Sequence, residues 1–198
     1  MAALTTTPAQ FFNRPECVAL IRERALRTGV QVTLASGKVS DTYVDSKQIT
    51  LHGPSLRQLA GWMTDLLEQQ SPKPTVIAGV SIGGDPLVAS VIVEAAARGW
   101  DVTGLLIRKE AKGHGTSTGK RLEGPVPAKD AVIWLLEDVV STGGSALSAI
   151  GALSDAGHKL AGAVCLLDRE MGGVQALSDA IKAPVLPLAT LSAVKPAS

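Results

Sequence analysis

The segment from Val132 to Ser145 constrains this chain more than any other. Its unbroken apolar run, 132–136, ends in two acids, Glu137 and Asp138, and then a small-residue stretch, Val139-Val140-Ser141-Thr142-Gly143-Gly144-Ser145. An apolar run of this kind suits a strand buried on both faces, as in a parallel sheet covered by helices. Ala146, Leu147, Ile150 and Leu153 follow at helical spacing, so the segment predicts strand, loop, helix. The loop has few side chains beyond hydroxyls. Its N–H groups can therefore converge on an anion in front of the positive end of the next helix. Two carboxylates beside a bound phosphate would repel it unless they face something else, and ribose hydroxyls and a magnesium shell are the natural partners. Taken alone, the residues fit equally a turn in which Asp138 or Ser141 simply caps the helix.

The rest of the chain repeats this alternation. A first helix is predicted from Pro15, an initial position that tolerates proline, to about Thr28, with Gly29 as its stop. Residues 30–51 read as short strands around a Ser36-Gly37 turn. Gly53-Pro54 opens a helix whose Leu59, Ala60, Trp62, Met63, Leu66 and Leu67 mark one buried face. Next come a strand over 75–80, a helix over 86–98, a strand over 102–107, a polar loop, a strand over 131–136, a helix over 144–156 and a strand over 161–167. Such alternation implies right-handed crossovers and an α/β fold with a parallel sheet flanked by helices. Ligands of these sheets sit beyond the carboxyl ends of the strands, which is where the motifs fall.

Composition excludes more than it assigns. The 198 residues suffice for one well-buried domain, and 45% apolar content with only two Phe, one Tyr and three Trp means a core of Ala, Val, Leu and Ile. A net charge of +1 without basic stripes argues against nucleic acid and against a membrane surface as partners. Residues 1–10 have no targeting pattern, no stretch is long enough to span a bilayer, and Cys17 and Cys165 belong to no pair or cluster. Reduced thiols and a cytoplasmic location are expected.

Positive charge is instead local. Arg108, Lys109, Lys112, His114, Lys120 and Arg121 share one segment with Gly113, Gly115, Gly119 and Gly124. The stretch 109–128 exceeds the usual length of a structureless loop, about 12–15 residues, and such loops are commonly functional or disordered. A cationic lid could close over a diphosphate and stabilise charge on a leaving group; a solvated charge run is the plainer alternative. Gly115 to Lys120 imitates a phosphate-binding P-loop but lacks its first glycine and its final hydroxyl residue. Gly79-Val80-Ser81-Ile82-Gly83-Gly84 is rich enough in glycine to let backbone approach a ligand, or simply to make a tight turn.

Three of these segments, in order, resemble the type I phosphoribosyltransferases. The stretch Trp134 to Ser145 is similar to their phosphoribosyl-diphosphate motif. Ser36-Gly37-Lys38-Val39-Ser40-Asp41-Thr42-Tyr43-Val44-Asp45-Ser46-Lys47 resembles the N-terminal substrate segment of the orotate phosphoribosyltransferases, and Arg108-Lys109-Glu110-Ala111-Lys112-Gly113-His114-Gly115 their mobile catalytic loop. The resemblance extends to Arg169 and points to that family.

The resemblance implies a single domain over 1–198, with a hood formed mainly by 1–52 plus the C-terminal segment, and a mobile loop at about 109–128. It implies transfer of the phosphoribosyl group from 5-phosphoribosyl 1-diphosphate to orotate in pyrimidine synthesis, with Mg2+ required. Glu137 and Asp138 would hold the ribose hydroxyls, and Val139, Val140, Ser141, Thr142, Gly143, Gly144 and Ser145 the 5'-phosphate. Arg108, Lys109, Lys112 and His114 would embrace the diphosphate, Lys112 and Asp138 being the catalytic pair. Ser141 and Arg169 would contact orotate, and the 79–84 loop would meet pyrophosphate. No protein metal ligand is assigned. A homodimer with shared sites is expected. Ala35 stands where many relatives carry lysine, which leaves the details of base recognition open. Purine or uracil transferases, and a noncatalytic sensor of the sugar diphosphate, are the alternatives.

Overall fold

The computed structural model describes residues 11–33, 39–110 and 121–195. The expected alternation is present. After the N-terminal elements, the chain forms β3 (Val76–Val80), α4 (Gly84–Ala97), β4 (Thr103–Ile107), β5 (Leu122–Glu123), β6 (Ile133–Val140), α5 (Gly144–Asp155), β7 (Leu160–Asp168), α6 (Gly173–Ile181), β8 (Val185–Thr190) and α7 (Leu191–Val194). Six strands make one sheet in the order β5-β4-β3-β6-β7-β8, parallel throughout except for the antiparallel edge strand β5.

Because β4 is added on one side of β3, and β6, β7 and β8 on the other, the winding reverses between β3 and β6. Crossovers of one hand must then place their helices on opposite faces, and the core divides accordingly. Leu87, Val88 and Val91 of α4 pack with Ile77, Trp134, Leu136 and Val164 on one face. Ala146, Ala149 and Leu153 of α5 pack with Ala78, Leu135 and Cys165 on the other. Small residues set the spacing: a Cβ on Gly104 would come within 2.9 Å of Val88, and one on Gly162 within 2.5 Å of the Trp134 ring. The crevice created by such a reversal lies between the carboxyl ends of β3 and β6.

Several boundaries differ from expectation. The first helix, α1 (Pro15–Leu20), does begin at Pro15, but continues only as a π-helical turn to Ala25. Thr28 and Gly29 lie instead in β1 (Leu26–Thr33), where Gly29, at φ +70°, falls within a register irregularity between Thr28 and Val32. A left-handed residue stops a helix or kinks a strand equally well. β1 pairs antiparallel with β2 (Val39–Val44), while residues expected to extend this region become the short helix α2 (Lys47–Thr50). The helix α3 (Gly53–Glu68) follows as predicted. The turn residues Ser36, Gly37 and Lys38, with Ala35, lie outside the described residues.

β6 is the most consequential correction. It continues past Leu136, so Glu137, Asp138, Val139 and Val140 are strand residues held by pairing to β7 as far as Val140 with Asp168. β3 pairs with β6 only as far as Leu136, so the other edge of these four residues opens toward the crevice. In the basic segment, Leu122 and Glu123 pair with Ile107 and Leu106, so the stretch between β4 and β6 is not all loop. Lys112, His114 and Lys120 lie outside the described residues. The C-terminal elements return to the N-terminus: Arg22 donates to the carbonyls of Ala193 and Val194, and Asn13 Oδ1 accepts from the Thr190 amide.

Candidate active site

Two helices start at the reversal point, and neither has a side-chain cap. The boundary residues are Gly83 for α4 and Gly143 for α5. The plain reading of the second motif, a helix capped by Asp138 or Ser141, is therefore not what occurs. Helix N-termini leave backbone donors unsatisfied, and without a capping oxygen they are ready anion sites. Gly143 sits at φ +82°, a conformation that favours glycine. The Ser141–Ser145 turn is braced by α6, since the Gly173 amide donates to the Ser141 carbonyl at 3.0 Å.

The preceding turn is built on close backbone approach. A Cβ on Gly79 would lie 2.9 Å from the Gly84 carbonyl oxygen, and one on Gly83 would lie 2.7 Å from the carboxylate atoms of Asp138. The Ser81-Ile82 peptide is cis, and Ser81 Oγ donates to Asp85 Oδ1 at 2.8 Å. This turn borders a cleft of about 730 Å³ lined by Lys47, Thr50, Leu51, Ser81, Ile82, Gly83, Asp85, Pro86, Arg108, Lys109, Glu110 and Asp138. Three of the expected site residues, Arg108, Lys109 and Asp138, thus share one cavity with the glycine turn.

Asp138 is held on both oxygens. Ser46 Oγ donates to Oδ2 at 2.5 Å, and the Val139 amide donates to Oδ1 at 2.8 Å. Glu137 is only 7% exposed. Consecutive strand residues point to opposite faces, and its pairing with Cys165 sets it on the α5 side. Burial, reinforced by the nearby Asp138 charge and opposed by Lys109, raises its pKa to about 8. In the absence of ligand Glu137 is therefore mostly protonated at neutral pH.

Other expected residues do not line this cleft. The Ser141-to-Ser145 turn lies beyond it at the end of β6. Arg169 is buried after β7, its amide donating to the Val140 carbonyl and its guanidinium to the Thr42 carbonyl of β2 at 3.2 Å. Burial lowers its pKa, and the Tyr43 phenol opposes that. Arg169 therefore joins the sheet end to the β1–β2 hairpin. Lys112 and His114 lie outside the described residues. The sequence alone implies no role for Ser46, Lys47 or Asp85. The first two belong to the substrate-segment resemblance, but nothing local indicates that Ser46 reaches a carboxylate 92 positions away.

A phosphoribosyl transferase domain model matches residues 45–183. An orotate phosphoribosyltransferase of Thermosynechococcus vestitus is 41% identical over 165 residues, covering 83% of this chain and 84% of the relative. The chain belongs to the orotate phosphoribosyltransferase family. Another orotate phosphoribosyltransferase, from Sorangium cellulosum, is 38% identical over 183 residues, 90% of each chain. Among solved structures, the Mycobacterium tuberculosis orotate phosphoribosyltransferase in complex with 5-phospho-alpha-D-ribosyl 1-diphosphate aligns with a TM-score of 0.71 at 26% identity, covering 92% of this chain and 98% of that one. The family match spans α2 to α6, and so includes both uncapped helix starts and the acids between them.

Proposed function

We propose that this protein transfers the 5-phosphoribosyl group of 5-phosphoribosyl 1-diphosphate to orotate, giving orotidine 5'-monophosphate and diphosphate in pyrimidine synthesis. The observation that carries the reading is the convergence of two uncapped helix N-termini at the sheet's reversal point, with Asp138 fixed between them. A sugar with a phosphate at each end requires two anion sites separated by acceptors for its hydroxyls. The end of β6 and the turn into α5, from Val139 to Ser145, would take the 5'-phosphate. Asp138 and Glu137 would accept from the ribose hydroxyls, and the Ser81–Gly83 turn with Arg108 and Lys109 would meet the diphosphate.

In the reaction, a ring nitrogen of orotate attacks the anomeric carbon while the bond to the diphosphate oxygen breaks and its electron pair leaves with the diphosphate. Positive charge builds on the ribose and negative charge on the leaving group, so alignment and electrostatics carry the catalysis. Lys112 and His114 would join Arg108 and Lys109 around the leaving group, with Lys112 at the departing oxygen. Arg169 and Ser141 would contact orotate, beneath a hood spanning Ser36 to Tyr43; a planar guanidinium fork suits carboxylate and carbonyl acceptors.

Among the described residues no group of three or more side chains could by itself hold a metal. The cleft carboxylates instead fit a magnesium ion that keeps its water and is carried largely by substrate phosphates, as this cation prefers. Bound there, it would neutralise diphosphate charge. A homodimer is supported by Leu51, Ile82 and Val93, which are 74%, 80% and 69% exposed, large apolar side chains on or beside the cleft rim. Among the described residues, no helix is long and apolar enough to cross a membrane, and both cysteines are free and buried. The free thiols support a cytoplasmic location.

The test is depletion of orotate absorbance by purified protein with the sugar diphosphate and magnesium. Turnover should stop on chelation and return with added magnesium. Consumption of hypoxanthine, adenine or uracil instead would reassign the base, and binding without turnover of any base would indicate a sensor.

A further inference from the structure

We infer that Ser46 is a positioning residue that fixes the Asp138 carboxylate for the ribose, an inference that rests on the function proposed above. A serine at the start of a helix ordinarily turns its hydroxyl onto that helix's own amides. Ser46 does not. Its backbone is already helical, at φ −54° and ψ −28°, and its side chain makes no cap bond to α2. The hydroxyl is directed instead across the fold to Asp138 Oδ2, at 2.5 Å.

Three features make this more than an incidental contact. Ser46 is 4% exposed, so water does not compete for its proton, and a hydrogen bond to a charged oxygen is about twice as strong as a neutral one. Its backbone is anchored, because its carbonyl accepts from the amides of Ile49 and Thr50, both at 2.9 Å. Finally, the carboxylate is restrained on the sides away from the cleft. The Val139 amide holds Oδ1 at 2.8 Å, and Gly83 faces it so closely that a Cβ there would lie 2.7 Å from both oxygens.

Asp138 lines the cleft, whereas Ser46 does not, so Ser46 acts through Asp138 rather than on a substrate. A carboxylate offers about four lone-pair directions, and the two bonds occupy one on each oxygen. The remaining directions are thereby set before a sugar arrives, which is the kind of preorganisation that accelerates a reaction dominated by alignment. Ser46 also lies between the β1–β2 hairpin and α3, so its bond fastens the N-terminal elements to the acid at the sheet's reversal point.

The experiment is a double-mutant cycle of Ser46→Ala and Asp138→Ala. It is read both as affinity for 5-phosphoribosyl 1-diphosphate with magnesium, by calorimetry, and as kcat and KM with orotate. Ser46→Ala should weaken binding or kcat/KM for the diphosphate about tenfold, the usual scale for one bond to a charged group. The KM for orotate should stay near wild type, and the melting temperature should fall by no more than the loss of this one bond accounts for. Ser46→Thr, which keeps the hydroxyl, should recover most of the loss; if its methyl impairs folding, Ser46→Cys, a weaker donor, should fall between Ser and Ala. In the Asp138→Ala background, Ser46→Ala should change nothing further. Additive losses, or a Ser46→Ala protein equal to wild type, would overturn the role of Ser46 while leaving the proposed function standing. Failure of the wild type to bind the sugar diphosphate would remove both. Binding without use of orotate would displace only the base assignment, and the cycle would still be decided on affinity.

Discussion

Replacing Glu137 with glutamine isolates the cost of burying an ionisable group at the sheet end. Its pKa rises from 4.5 to about 8, chiefly through burial and secondarily through Asp138. A carboxyl whose pKa is raised by folding binds its proton more tightly in the native than in the unfolded chain. Its stabilising contribution is complete below pH 4.5 and is lost progressively as pH rises to about 8. At about 1.4 kcal/mol for each tenfold change in proton affinity, the whole effect has a ceiling of about 5 kcal/mol, which relaxation around the charge lowers. Urea unfolding of both proteins without ligand, at intervals from pH 5 to pH 9, measures it. Wild-type stability should fall relative to Glu137→Gln across that range and run parallel to it above pH 8. A difference that stays constant with pH would refute the reasoning. A corollary concerns binding: if ribose hydroxyls require an ionised Glu137, uptake of the sugar diphosphate at pH 7 must release a proton. Binding enthalpies in two buffers of different ionisation heat will reveal it, and Glu137→Gln should abolish the difference.

Two further perturbations probe other parts of the site. Lys112→Ala should lower kcat by about 10²–10³ while changing the KM for the diphosphate far less, as expected for charge neutralised mainly in the transition state; a proportionate loss of affinity alone would remove Lys112 from that role. Gly173→Ala would drive a methyl against the Ser141 carbonyl and to 2.7 Å from the Gly143 amide nitrogen, costing about 1–3 kcal/mol in urea unfolding and raising the KM for the diphosphate. Wild-type values for both would show that the turn does not need this bracing.

Much of the architecture is legible from hydrophobic pattern, because a parallel sheet buried on both faces requires continuous apolar strands and amphipathic helices between them. Boundaries fail where chemistry interrupts the pattern. Glu137 and Asp138 end the apolar run, yet the pairing of Val139 with Leu167 and Val140 with Asp168 carries the strand four residues beyond Leu136. Gly29 has the conformation expected of a helix stop, but the stop comes at Ala25 and the glycine bends a strand. The pattern predicts no element beyond residue 167, although α6 and β8 follow; Pro187 interrupts the pattern of β8, a position tolerated because that strand lies at the sheet edge. Of the site, the turns and the acids were legible because each is a local motif. Ser46 was not, since its significance depends on a contact closed by the whole fold, and neither the limits of the cleft nor the contact of Arg169 with Thr42 has a local signature.

The reversal of winding has a consequence for how this molecule could be tuned. The helix that would grip one end of the sugar is seated in the hydrophobic layer above the sheet, and the helix that would grip the other end is seated in the layer below, with little but the strands themselves in common. Repacking around Val91 and repacking around Leu153 would therefore adjust opposite ends of a single bound molecule, as two separate dials.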